Sequence, residues 1–190
     1  MTIVSADAAI AAGSSGSARR AELLASAYNY VLEHGLARLS LRPLAAAIGT
    51  SPRVLLYLFD SKEGMIRELL ARAREEQLAL VRANLAKTEI RDLDDVIDVV
   101  WHVLAAPQRR RLVGLIYEAF IMAVQPDPGP WDGFATEQVN DWLTLLQDAD
   151  PDTTTPRTAE RATRALALIR GLLLDLLATD DHDRIARAFP

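Results

Sequence analysis

Residues 39–59, LSLRPLAAAIGTSPRVLLYLF, constrain this chain more than any other stretch, because they place a helix stop and a helix start almost back to back. Ser40 is positioned to cap a helix that runs through Leu41, Leu44, Ala45 and Ile48. Gly49 ends it, since glycine takes the left-handed backbone of a C-terminal cap at little cost. Ser51 then caps a second helix, with Pro52 at its first position, where the missing N–H costs nothing. A helix, a tight turn and a second helix make a helix-turn-helix. The N-terminal residues of such a second helix touch base edges in the major groove of double-stranded DNA, which marks Pro52, Arg53 and Val54 as candidate readers.

Charge follows the same division. Residues 19–62 carry Arg19, Arg20, Arg38, Arg42, Arg53 and Lys62 against Glu22, Glu33 and Asp60, so 6 − 3 = +3. Residues 84–190 carry 11 basic and 18 acidic side chains, so 11 − 18 = −7. A basic module on an acidic body suits phosphate binding by the module alone. Arg109, Arg110 and Arg111 form the densest basic run, but they sit in the acidic body and read as a solvated or acid-paired face.

The remaining punctuation is helical. Residues 1–17, rich in Ala, Ser and Gly, are expected to form a flexible tail. Leu23, Leu24, Ala27, Tyr30 and Val31 recur at three and four, and Gly35 stops that helix. Asp60 or Ser61 caps a long helix from about residue 62 to 85, with Asp60 and Glu63 spaced as a capping box. Helices are then expected over 93–104, from Pro107 to about 124, over 131–147, over 159–178 and over 184–189. QPDPGP (125–130) and DADPDTTTP (148–156) break the pattern, with Thr155 as cap and Pro156 in the first turn of the next helix. The organisation expected is a tail (1–17), a helix-turn-helix DNA-binding domain (18–63) and a helical ligand-binding and dimerisation domain (64–190), all-α throughout.

The pattern of Leu23, Leu24, Ala27, Gly35, Ser40, Leu41, Arg42, Leu44, Ala45, Ile48, Gly49, Ser51, Leu55, Tyr57, Phe59, Ser61, Lys62 and Glu63 resembles the TetR family of one-component transcriptional repressors. Caps, glycines and apolar positions fall in register over about 50 residues of the 190. The resemblance implies a homodimer whose last two long helices join those of the partner in a four-helix bundle, with a small-molecule site in the body. It also implies roles by position. Ser40 and Arg42 face the groove or a phosphate. Ser51, Pro52, Arg53, Val54 and Leu56 lie along the reading edge, with Arg53 suited to guanine and Leu56 to a thymine methyl. Tyr57 leans on the sugar-phosphate backbone, while Ser61 and Lys62 clamp a phosphate at a helix start. Phe59 reads instead as core. Leu56 and Leu58 stand where the family often has tyrosine and histidine, and Pro43 is unusual in the first turn.

Within the body, Trp101, His102, Tyr117 and Glu118 are the best mixed apolar and polar set for a ligand site, suited to an amphipathic or aromatic molecule. The helix over 159–178 is apolar on more than one face, so part of it is buried inside the body or against a second chain. Leu166, Ile169, Leu173 and Leu176 are the candidates for the second-chain contact, and Gly171 permits close helix approach. Asp175 either points to solvent or needs a buried partner.

No cysteine is present, and His34, His102 and His182 are isolated, so neither a metal site nor a cofactor is expected. No catalytic constellation appears: there is no Gly-x-Ser-x-Gly and no phosphate-cradling glycine loop. With no secretory signal and no run of 18 uncharged apolar residues, the expected location is the cytoplasm. The expected function is a DNA-binding regulator, a repressor by family default, acting on a palindromic operator as a homodimer and released by a small molecule. The alternative is a helical ligand-binding or interaction protein with a vestigial head.

Overall fold

A computed structural model describes residues 4–37, 39–152 and 157–188. The described residues form nine α-helices and no strand: α1 Val4–His34, α2 Leu41–Ala47, α3 Pro52–Phe59, α4 Lys62–Leu85, α5 Leu93–Leu104, α6 Arg110–Ala123, α7 Phe134–Ala149, α8 Thr158–Thr179 and α9 His182–Ala188. Single 3-10 turns lie at Pro107–Arg109 and Gly129–Trp131. The chain divides into two compact units, Met1–Leu69 and Leu70–Pro190, so the division falls within α4.

Helix α1 begins at Val4, where the composition of residues 1–17 suggested a flexible tail. Ala6, Ala8, Ala9, Ala11 and Ala12 are the strongest helix formers and carry the helix through Gly13 and Gly16. It ends as expected at Gly35, whose N–H bonds to the Val31 carbonyl at 2.8 Å with φ 79°.

The core of the first unit is made by one face of each helix. Leu23, Ala27, Tyr28 and Val31 of α1 are buried with Leu44 and Ala45 of α2, Leu55 and Phe59 of α3, and Met65, Ile66 and Leu69 at the start of α4. At the end of α2 the Thr50 N–H bonds to the Ala45 carbonyl at 2.8 Å, with Gly49 at φ 68°. This is the glycine-terminated closure that turns the chain into α3.

In the second unit α8 is central and packs on α5, α6, α7 and α9. Its Ala162, Ala165, Leu166, Ile169, Leu173 and Leu176 join Val96, Val100, Leu104, Trp142, Leu145, Leu146 and Ile185 in one buried cluster. Leu166, Ile169, Leu173 and Leu176 are therefore filled in by their own chain and are not a surface for a partner. The opposite face of α8 shows Ala167, Gly171, Leu174 and Ala178 to solvent, Leu174 at 51 % exposure. Half-exposed Asp175 is held by Arg184 of α9 at 2.7 and 2.9 Å, which answers its need for a partner within the chain.

Two boundaries shift for backbone reasons. Gly129 (φ 54°) and Gly133 (φ 78°) reset the chain on either side of Trp131, so α7 starts at Phe134 rather than Trp131. Helix α9 starts at His182, ahead of the expected 184, and Asp181 accepts from the Arg184 N–H at 3.0 Å. The expected Thr155 cap and Pro156 lie outside the described residues, as does Arg38.

Candidate nucleic-acid interface and body cavity

Helix α3 splits its side chains cleanly. Leu55 and Phe59 are buried, while Val54 is 39 %, Leu56 42 % and Tyr57 83 % exposed. Arg53 is exposed beside them, and Pro52 is half-buried at the first helical position. The Ser51 hydroxyl accepts from the Val54 N–H at 3.3 Å, so this serine is used as the cap that fixes where α3 begins. Val54, Leu56 and Tyr57 thus form one solvent-facing apolar edge outside the core of their unit.

The other predicted positions surround this edge. Ser40 is exposed at the start of α2, but its side chain makes no cap bond. Arg42 is exposed in the first turn of α2. The Ser61 hydroxyl accepts from the Gly64 N–H at 2.8 Å, so Ser61 and not Asp60 caps α4, and the Asp60–Glu63 capping box does not form. Asp60 instead adopts φ 62° and ψ −37°, with the Ser61 N–H bonded back to the Phe59 carbonyl at 2.7 Å, a γ-turn. Lys62 is half-buried in the first turn of α4.

Two further residues hold this site without having stood out in the sequence. Arg20 of α1 donates through Nε to the Leu58 carbonyl at 3.1 Å and pairs with Glu68. It thereby satisfies an orphan carbonyl in the last turn of α3. Its charge belongs to the structure of the unit, not to a free basic surface. Gly64 is the second: a Cβ there would clash with the Phe59 carbonyl oxygen. Its position three after a hydroxyl cap was the available signal.

The second unit encloses a cavity of about 70 Å³ lined by α4, α5, α6, α7 and α8. Most of its wall is apolar: Leu104, Ile116, Phe120, Trp142, Leu166, Ile169 and Leu173. Its polar groups are Gln77, Tyr117, Gln138 and Arg170. Gln77 Oε1 accepts from Gln138 Nε2 at 2.7 Å and from Trp142 Nε1 at 3.3 Å, which leaves the buried Gln138 Oε1 unpartnered. The Tyr117 hydroxyl donates to the Arg170 carbonyl at 2.5 Å, and burial pushes its pKa up to about 12. The Arg170 guanidinium lies 4.9 Å from the centre of the Phe120 ring, and its Nη2 is buried without a hydrogen-bond partner.

Of the four residues expected at a ligand site, only Tyr117 lines this cavity. Trp101 is buried in the body core, 8 % exposed. His102 is exposed, with Nδ1 2.8 Å from the Asp98 carbonyl oxygen, on an open groove with Asn84 and Asp95. Glu118 is half-buried outside the cavity wall. Arg110, in the basic run, donates to the Leu176 and Leu177 carbonyls at 3.3 and 2.8 Å and to Asp180 at 3.0 Å, closing the C-terminus of α8. Among the described residues no group of His, Asp or Glu is placed to hold a metal ion, and no helix is long and apolar enough to cross a membrane.

A capped helix-turn-helix with an exposed arginine–aromatic edge, joined to an all-helical body, defines a DNA-binding transcriptional regulator. Residues 23–69, which hold the helix-turn-helix, match the model of the bacterial regulatory proteins of the tetR family. The fold is shared with a transcriptional regulator from Rhodococcus sp. Rha1, at 21 % identity and TM-score 0.69 over 85 % of this chain and 84 % of that one. A TetR family transcription regulator from Marinobacter aquaeolei VT8 shares it at 18 % identity and TM-score 0.56, over 91 % and 92 %. The multidrug binding protein EbrR, solved with imidazole, shares it at 26 % identity and TM-score 0.63, over 90 % of each chain. No curated protein matches the sequence.

Proposed function

We propose that this protein is a ligand-released repressor that binds a palindromic operator as a homodimer. The observation that supports the reading is the solvent-facing edge of α3, where Arg53, Val54, Leu56 and Tyr57 stand exposed together. Arg53 reads a guanine through a bidentate bond, and Val54 and Leu56 meet thymine methyls. Tyr57 lies along the sugar-phosphate backbone. Arg42, Lys62 and the backbone at the start of α4 take phosphates, with Ser40 and Ser61 beside them.

Dimerisation uses the outer faces of α7 and α8. Gly171 supports this: it stands mid-helix, where glycine costs roughly 1 kcal/mol relative to alanine, yet a Cβ there meets nothing within 4 Å in its own chain. A second helix seated on Ala167, Gly171 and Leu174 accounts for it. The cavity lined by Tyr117, Gln138 and Arg170 takes the effector. Gln77 in its wall lies on α4, the helix whose first turn holds Lys62, so a ligand that moves α4 changes how the heads fit two half-sites about one helical turn of DNA apart. DNA affinity then falls by the ligand's differential affinity for the two forms.

The test is fluorescence anisotropy of labelled DNA from the promoter adjoining the gene, at two salt concentrations, with an unrelated fragment as control. The expected result is saturable, salt-weakened binding that prefers the promoter with two protomers per site. Equal weak binding to both fragments, with no preferred sequence emerging from random DNA, would falsify the reading and leave a helical body with a head that no longer reads sequence.

A further inference from the structure

The cavity in the second unit carries a specific chemical demand. Its hydrogen-bond groups are almost all spent on one another: Gln77 on Gln138 and Trp142, and the Tyr117 hydroxyl on the Arg170 carbonyl. Two buried atoms are left over, the acceptor Gln138 Oε1 and the donor Arg170 Nη2. The donor is the consequential one, because it belongs to a permanent cation. Among the described residues no ion pair joins Arg170 to a carboxylate; the Phe120 ring faces the guanidinium and the neutral Tyr117 lies beside it. The guanidinium as a whole is half-buried, but its Nη2 is cut off from solvent on the cavity side with no acceptor to meet it, and a charged donor left unsatisfied costs more than a neutral one. Burial lowers the Arg170 pKa, the direction expected of a cation short of compensation.

We propose that this cavity binds a small organic carboxylate, its charged end on Arg170 Nη2 and its apolar body among Phe120, Trp142 and Leu173. The apolar wall excludes inorganic anions, which would give up their hydration for one hydrogen bond. It excludes organic cations through repulsion by Arg170. Gln138 Oε1 is free to accept one hydroxyl or amide donor from the ligand body. The empty space of about 70 Å³ is under half of the roughly 150 Å³ that holds benzene in an apolar cavity, so the ligand must widen it. Tyr117, Phe120 and Arg170 are the wall residues that retain solvent exposure, and they open the path. This inference rests on reading the cavity as the effector site and names the class of effector.

The probes are phenylacetate and butyrate, each against its primary amide, with phenethylammonium and inorganic phosphate as charge controls. Binding to the full chain is measured by titration calorimetry and by the fluorescence of Trp142. Each carboxylate is expected to bind at least about tenfold more tightly than its amide, the range of a charge-assisted hydrogen bond. Arg170→Met, which keeps the stem, should bring that ratio within about twofold while amide binding persists; Arg170→Lys, the check on folding and charge, should keep the preference. Equal affinity for carboxylate and amide, tighter binding of phenethylammonium or phosphate, no carboxylate binding at millimolar concentration, or an undiminished preference in Arg170→Met each overturns the proposal. Promoter DNA in parallel separates the two readings. Carboxylate binding without DNA release sinks the effector role and leaves the ligand class standing; DNA release by the amides alone does the reverse.

Discussion

The guanidinium of Arg20 lies 5.0 Å from the centre of the Phe59 ring while its Nε holds the Leu58 carbonyl at 3.1 Å. One side chain of α1 thus fixes both the last buried anchor of α3 and its terminal backbone. A cation–π contact contributes about 0.5–1 kcal/mol and a hydrogen bond about 1, with little from the part-exposed Glu68 pair, so Arg20→Ala is expected to destabilise the unit by about 1–2 kcal/mol. Urea unfolding, or hydrogen exchange at α3 amides, measures it. An unchanged midpoint would mean the contacts carry no net stability.

Gly64→Ala should be costlier than its place in a helix suggests. Alanine normally improves a helix, but here the added Cβ meets the Phe59 carbonyl, which is backbone and cannot swing away. The expected loss is about 1–3 kcal/mol, the range for overpacking. A raised melting temperature in this variant would contradict the γ-turn geometry at Asp60.

Two substitutions at the DNA edge separate reading from anchoring. Arg53→Ala is expected to lose about 1–3 kcal/mol on the preferred operator and to relax the preference at one base pair. Lys62→Ala should weaken all sequences alike and reduce the salt slope by about one. Anisotropy titrations across salt check both, and a change of sequence preference in Lys62→Ala would reverse the two assignments.

Alkaline unfolding reports on the cavity wall. The folded pKa of Tyr117 is raised from 10.0 to about 12 by burial. Its neutral form is the one the fold accommodates, so the associated stability is whole below pH 10 and is lost as pH rises from about 10 to about 12. Spectrophotometric titration should show a late phenol ionisation that Tyr117→Phe removes, and the same variant should flatten that part of the stability profile.

How far the sequence reaches is set by locality. Gly49, Ser51 and Pro52 act on their own backbone, so the turn and the exposed face of α3 were legible from the residues alone, as was the burial of Phe59. The cavity was not. Trp101 and His102 are adjacent, and a helix rotates about 100° per residue, so one entered the core and the other faced water. Tyr117 and Glu118 parted by the same rotation, the one into the cavity wall and the other, half-buried, outside it. Gln77, Gln138 and Arg170 carry no local signal of a shared site, because the helices that bring them together are distant in sequence. Leu166, Ile169, Leu173 and Leu176 fall at helical spacing, which says that a face is covered but not by which chain; α5, α6 and α7 cover it.

Helix α8 presents Arg170 to the cavity and Gly171, the next residue, to solvent. Were a small molecule held by the one, as proposed, and a second copy seated on the other, any effect of occupancy on self-association would be matched by an equal effect of self-association on occupancy. Ligand affinity then becomes a function of protein concentration. A titration repeated across dilution reads subunit coupling and effector response as one quantity, and a cell that makes more of this protein also retunes its sensitivity to the signal.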